Sequence, residues 1–420
     1  MEKKFEVLKK RLNKLFAVLP DSSIILLESG LEKIRNNDVH YPYRQDSNTL
    51  FLTDCHEPNN FWAIEKSSGK LKVHMACKPE DKKLEQWIGA WVTPNNAVAL
   101  YGVDEAIDIN KWQSYLKELL QKFDHLWLDF SNFTRHNKLL LEIKNKNISL
   151  NNIANYIAEL RMIKDSLCKH YLQRAIEVSS AAHIEIMQQC KSFSSESDIE
   201  GVFFRYIRSI SNSVAYPTIA ASGKNACVLH YTNNNQTLDK NDFILLDAGA
   251  EYGGYAADIT RTFPVGGKFS TQQKDFYNVV LNAQKAAIDL IKPNISWLEL
   301  EKAAKDVLID GCLQLNIFNE KALKLNKDDL IKIVFPHGLG HHLGLDVHDS
   351  CPKGRFAYVL EEGNVITIEP GLYLNNVEYI KPNWLNYGVR IEDDVLVCAD
   401  ASKVLSNVPK TVAAIEDLMS

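Results

Sequence analysis

The stretch FILLDAGAEYGGYAADITRTFPV, residues 243–265, decides the reading of this chain. Two apolar, β-rich runs flank Gly253 and Gly254, a turn signal, so the segment reads as a hairpin. Each run carries one acid, Asp247 in the first and Asp258 in the second. A turn about Tyr252 and Gly253 sets the two aspartates directly opposite each other, where like charges repel. A slipped register sends them to opposite faces instead. In the first register the pair needs a cation, because ionised carboxylates are rarely buried unless paired or bound to metal.

Two later segments repeat the theme. In VITIEPGLY, residues 365–373, an alternating strand runs into Glu369, and Pro370-Gly371 ends it. In YGVRIEDDVLV, residues 387–397, Arg390 and Glu392 are two apart and share one strand face. A guanidinium there can orient a metal-bound carboxylate, whereas a mere surface ion pair is worth little. Asp393 and Asp394 read as structural or solvated. Between the first acids and these lies PHGLGHHLGLDVHD, residues 336–349, with His337, His341, His342 and His348 among the chain's 12 histidines. The spacing of His337 and His341 suits a zinc-protease helix, but Gly338 stands where that motif has its glutamate. Gly338, Gly340 and Gly344 also argue against a regular helix. The glycine spacing fits no phosphate-binding fingerprint either.

Taken together, these motifs make the chain from about Ser166 onward similar to the pita-bread metallopeptidases. That family holds two metals with two aspartates, a histidine and two glutamates in this order, and Asp247, Asp258, His341, Glu369 and Glu392 match. His230 in ACVLHYT and His348 match the family's substrate-facing histidines. The segment LLDAGAEYGGYAADITRTFPV resembles the proline-specific branch. In the first half, YPYRQDSNTLFLT with Arg44 and Asp46 resembles the aminopeptidase P N-terminal domain. Trp87 in EQWIGAW and Arg161 in AELRMIKD also match; the first reads otherwise as a core tryptophan, the second as a junction residue. The stretches SCPKGRFAY, residues 350–358, and NNVEYIKPNWLN, residues 375–386, fit the family loosely, which bears on specificity and leaves the metal positions intact.

The resemblance implies an α/β N-terminal domain over 1–155 and an α+β pita-bread catalytic domain over 156–420. It implies a metallo-aminopeptidase that releases the first residue from peptides with proline second. A prolidase-like dipeptidase is the near alternative, and a non-catalytic peptide-binding protein the distant one, since all five ligand positions are present. The hard, oxygen-rich donor set suits two Mn²⁺ ions, with Zn²⁺, Co²⁺ or Fe²⁺ compatible. Glu369 is then the expected proton shuttle, and His230 and His348 the donors to the carbonyl. His337 and Arg390 support them. Tyr373, with the histidines, is expected to wall the proline ring. In the family, the residue at Trp87 reaches a neighbouring subunit's active site, which implies a homodimer or homotetramer.

Composition agrees. Hydrophobic residues make up 45% and charged ones 24%, and a net charge of -5 leaves no footprint for nucleic acid. Eight cysteines without close pairing read as free thiols of a cytoplasmic protein. Lysines interrupt the first helix, so it reads neither as a targeting segment nor as a membrane anchor; Phe5, Leu8, Leu12, Leu15 and Leu19 trace its apolar face. Strands are expected at 23–27, 61–65, 71–77 and 126–130, a linker at 145–154, and long helices near 166–191, 197–210, 271–291 and 297–315.

Overall fold

The computed structural model describes residues 4–67, 69–132, 148–210 and 213–420. Two compact units divide between Arg161 and Met162 rather than at 155.

The first unit is built on a mixed six-stranded sheet. Its order is Glu105–Asp108, Lys70–Cys77, Phe61–Ser67, Ser23–Glu28, His125–Leu128 and Ser149–Asn152. The central strand Ser23–Glu28 is buried at every position, which is why it reads as a continuous apolar run rather than an alternating one. The helix Lys4–Val18 buries Val7, Leu8, Leu12, Leu15 and Phe16, close to the face its periodicity indicates. The expected linker is corrected here. Residues 145–147 lie outside the described residues, but Ser149–Asn152 is an edge strand parallel to His125–Leu128. Asp46 caps the helix Ser47–Thr53 by accepting from Thr49 N at 2.8 Å, and Arg161 donates to Asn48 Oδ1 at 2.8 Å. Both therefore serve the packing of this unit. Trp87 stands on the short helix Lys82–Ile88 with 86% of its surface exposed, so it is no core tryptophan.

The second unit packs long helices around short antiparallel sheets. The helices Ser166–Gln189, Glu196–Ile210, Thr271–Ile288 and Trp297–Gln314 start and stop close to the expected positions. Two of them open with capping boxes, Ser270 with Gln273 and Ser296 with Glu299, which satisfy the first-turn N–H groups reciprocally. Their apolar faces share one large core with the sheet residues Ile244, Leu246, Phe263, Ile366, Ile368, Val389 and Val395. One sheet joins Ile219–Ser222, Phe243–Asp247 and Thr260–Pro264; another joins Val365–Ile368, Asp393–Val397 and Ser402–Val404; a ribbon pairs Gly371–Tyr373 with Gly388–Arg390.

The helix Ser166–Gln189 fixes the key hairpin from behind. His183 is fully buried and its Nε2 donates to Ala248 O at 3.0 Å, while Ser179 Oγ accepts from Ala250 N at 2.8 Å. Burial lowers the His183 pKa to about 4, so the native state keeps it neutral. The unfolded chain protonates it near the ordinary value of about 6.5. Stability is therefore full above that value and is lost as pH falls towards the folded pKa, by up to about 3 kcal/mol. Denaturant unfolding at pH 7.5 and 4.5 should show a larger drop for the wild type than for His183→Gln, which keeps a donor but does not titrate.

Candidate metal centre

Asp247 ends the strand Phe243–Asp247, where it faces Ile219 on one side and Thr260 on the other. The hairpin turns at Gly253-Gly254, with Tyr252 paired to Tyr255, so Asp258 falls opposite Gly249 and diagonal to Asp247. This corrects the directly opposed register, yet the two carboxylates still converge. Tyr216 makes the junction: its hydroxyl lies 2.7 Å from Asp247 Oδ1 and 2.6 Å from Asp258 Oδ1. One phenolic proton serves two acceptors. Gly249 is required at this crossing, because a Cβ there would stand 1.8 Å from Ala257 O and 3.0 Å from the Tyr216 ring.

The histidine segment is not helical. It runs along the strand Val365–Ile368, with Thr367 N donating to His341 O and Glu369 N to Leu339 O, both at 2.8 Å. A Cβ at Gly340 would lie 2.0 Å from Thr367 O, so only glycine permits this approach. The segment sorts four chemically identical side chains into different places. His341 Nδ1 donates to His342 O at 3.0 Å, which leaves Nε2 facing Asp258 Oδ2 at 3.4 Å and Glu369 Oε1 at 3.7 Å. His348 lies against it, with ring centroids 4.2 Å apart. His337 donates from Nδ1 to Gly338 O and accepts at Nε2 from Tyr373, both at 2.8 Å. His342 turns away into the core beside Trp297 and Tyr358. Behind the His348 loop, Lys164 and Asp349 form a buried ion pair at 2.7 Å, and Gly344 leaves room for it.

Glu392 is buried and accepts from Thr260 Oγ1 at 2.7 Å. Arg390 Nη2 donates to Asp247 Oδ2 at 2.7 Å and its Nη1 to the Tyr373 hydroxyl at 3.0 Å. Arg390, Tyr373 and His337 thus form one chain that ends on the cavity wall. The two acids after Glu392 are buried rather than solvated. Asp393 pairs with Arg261 Nη2 at 2.6 Å and with Lys410, and Asp394 Oδ2 accepts from Asp258 N at 3.2 Å.

Charge is the difficulty this arrangement poses. Burial first, then the neighbouring carboxylates Asp258, Glu369 and Asp247, push Glu392 well above the usual range. Burial raises Asp247 against the opposing field of Arg390, and raises Glu369 to about 7 against those of His341 and Arg390. Burial disfavours charge on His341, but Asp258 and Glu369 outweigh it and lift the imidazole to about 9. Oxygens of Asp258 and Glu392 and a His341 nitrogen lie within 4.8 Å of one another. A divalent cation among these donors relieves both the desolvation and the mutual repulsion, so the residues fit a metal.

The centre opens on a cavity of about 760 Å³. Pro217, Ile219, Leu229 and Val347 give it an apolar side, and His230, His337, His348 and Arg355 line it together with all five expected ligands and Arg390. Tyr373 is buried and absent from the lining, its hydroxyl bonded to His337 and Arg390, so it does not form the expected wall. Sequence reasoning missed Tyr216 and Arg355. Tyrosine before Pro217 in an apolar run carries no signal, and Arg355 lies in the loop that fits the family loosely.

The family models agree with this geometry. The model of metallopeptidase family M24 matches residues 170–399, and that of the aminopeptidase P N-terminal domain matches residues 8–127. An Xaa-Pro aminopeptidase of Haemophilus influenzae is 35% identical, covering 99% of this chain and 97% of the relative. The solved aminopeptidase PepP of Pseudomonas aeruginosa superposes with a TM-score of 0.92 at 33% identity, covering 99% and 97% of the two chains. Aminopeptidase P of E. coli, solved with the inhibitor Pro-Leu, gives 0.92 at 30% identity over 100% and 99%. The chain belongs to metallopeptidase family M24 and has its pita-bread catalytic fold. Within that family it is a metal-dependent hydrolase of the Xaa-Pro aminopeptidase branch, acting on peptides.

Tyr216→Phe tests the shared proton. With chelator present, the variant should lose about 1–2 kcal/mol of stability as Asp247 and Asp258 face each other without the donor they share. Added Mn²⁺ should shrink that loss, because a cation replaces what the hydroxyl supplied. Thermal unfolding under both conditions measures it.

Proposed function

We propose that the chain is a dinuclear-metal exopeptidase that releases the N-terminal residue from peptides with proline in the second position. The observation that carries the reading is the convergence of Asp247, Asp258, His341, Glu369 and Glu392, from four separate segments, on a cavity faced by three further histidines. These five would hold two Mn²⁺ ions; Zn²⁺, Co²⁺ or Fe²⁺ suit the same donors. When bound, the ions supply Lewis acidity and an activated water.

The protein's own groups do the rest. Glu369, with 18% of its side chain exposed, is the carboxylate that takes the proton released in hydrolysis and returns it to the proline nitrogen. His348 and His230 donate to the carbonyl oxygen as it gains charge. His337 is held neutral by burial and by Arg390, its pKa lowered to about 3, and Tyr373 fixes its tautomer. The substrate's ammonium group sits by Asp247. A prolyl amide has no N–H to donate. The apolar side formed by Pro217, Ile219, Leu229 and Val347 receives its ring without asking for one.

Two further readings follow the same resemblance. The exposed Trp87 supports a homodimer or homotetramer in which this side chain meets a neighbouring copy. Eight free cysteines support a reducing cytoplasm. Among the described residues no helix is long and apolar enough to cross a membrane.

The deciding assay uses protein stripped of metal, with and without added Mn²⁺, on Arg-Pro-Pro and on Ala-Pro. Release of arginine from the tripeptide only when metal is restored is the expected result. Cleavage confined to the dipeptide moves the assignment to prolidase. No turnover of either, with metal demonstrably bound, leaves a peptide-binding protein. In the active enzyme, His348→Ala should lower kcat by about a hundredfold while metal content stays at the wild-type level.

A further inference from the structure

The two glutamates of the centre face each other across one antiparallel ladder. Ile368 pairs with Asp393, and Gly371 pairs with Arg390. Three steps separate these pairs on both strands, so Glu369 falls opposite Glu392 and Pro370 opposite Ile391. Glu369 N donates outward to Leu339 O at 2.8 Å and Glu392 N to Thr260 O at 3.0 Å. Their N–H groups are thus spent on flanking segments, and a pair of this kind holds its side chains closest. Like charges set directly opposite each other push the strands apart.

The next pair should close the ladder and cannot. Ile391 N donates to Pro370 O at 3.3 Å, but Pro370 has no N–H to return to Ile391 O. Gln284 supplies what the proline lacks. It is fully buried on the helix Thr271–Ile288, and its Nε2 donates to Ile391 O and to Ile368 O, both at 3.1 Å. These are the carbonyls of the peptide bonds that lead into Glu392 and Glu369. Lys410 Nζ donates to Gln284 Oε1 at 2.9 Å, which turns the amide so that its nitrogen faces the strands. Lys410 also bonds Asp393, and its carbonyl accepts from the Tyr277 hydroxyl at 2.7 Å. The amide is held from behind while it ties the strands where proline breaks their ladder.

We propose that Gln284 is a positioning residue for the metal centre: by bridging Ile368 O and Ile391 O it sets the separation of Glu369 and Glu392. This rests on the metal-binding reading above. Gln284 is absent from the cavity lining, so it acts on the two carboxylates only through the peptide bonds that precede them.

The test is calorimetric titration of Mn²⁺ into metal-stripped, full-length protein. Gln284→Leu keeps the bulk and loses both donors, and should weaken Mn²⁺ binding by about tenfold. Pro370→Ala returns an N–H to the ladder, so adding it to Gln284→Leu should recover part of that loss. Val280→Ala opens a gap in the core beneath the same helix without touching either carbonyl, and should leave Mn²⁺ affinity unchanged. A Gln284→Leu variant that binds Mn²⁺ as the wild type does overturns the proposal. So does an equal loss from Val280→Ala, which would mark the effect as one of general stability. Where Gln284→Leu does not fold, Lys410→Met decides in its place: it keeps Gln284 but frees the amide to turn. Weaker Mn²⁺ binding by that variant supports the proposal, and unchanged binding overturns it. A wild type that binds no divalent cation overturns the metal reading itself, whereas a cation-binding wild type matched by Gln284→Leu overturns only the role of Gln284.

Discussion

Four carboxylates are gathered in a region where water is largely excluded, and the protein offers them too little positive charge of its own. Arg390 answers Asp247, and Tyr216 shares a single proton between Asp247 and Asp258. Among the described residues nothing comparable answers Glu392, which accepts from the hydroxyl of Thr260. Removing an ionised carboxylate from water costs several kcal/mol unless a cation compensates. Everything around the centre follows from that imbalance. The strands must bring the acids together and hold them there against repulsion, and the rest of the core must be stable enough to bear it.

Arg261 shows how the fold meets that demand. It is fully buried, donates to the carbonyls of Thr260 and Glu392, pairs with Asp393, and reaches Val408 O. The strand after Asp258 and the segment bearing Glu392 are thereby riveted from the side opposite the metal face. On the histidine side the device is steric: Gly340 lets His341 lie against Thr367, and Gly344 admits the Lys164–Asp349 pair that backs the loop of His348. Charge repulsion at the centre is opposed by hydrogen bonds and close packing one layer out.

The four carboxylates could be read from the chain because an acid at the end of an apolar run is chemically out of place, whereas His341 stood out from its neighbouring histidines only through the family resemblance. Tyr216 could not, since a tyrosine beside a strand is ordinary and its role exists only once Asp247 and Asp258 have met. Tyr373 was misread for the same reason, its hydroxyl being spent on His337 and Arg390 inside the wall. The hairpin register was within reach: Gly253 and Gly254 both take positive φ, 58° and 81°, and a tight turn of that kind places both glycines at its centre. The edge strand Ser149–Asn152 was hidden because its polar residues mimic turn chemistry and only pairing with His125–Leu128 reveals it. The long helices announced themselves through period and caps.

Asp247 ends the strand Phe243–Asp247, whereas Glu392 lies far along the chain, between the strands Gly388–Arg390 and Asp393–Val397. During synthesis these two carboxylates therefore cannot meet until the segment bearing Glu392 has left the ribosome. A metal among Asp258, His341 and Glu392 would find only part of its donors before that segment has docked.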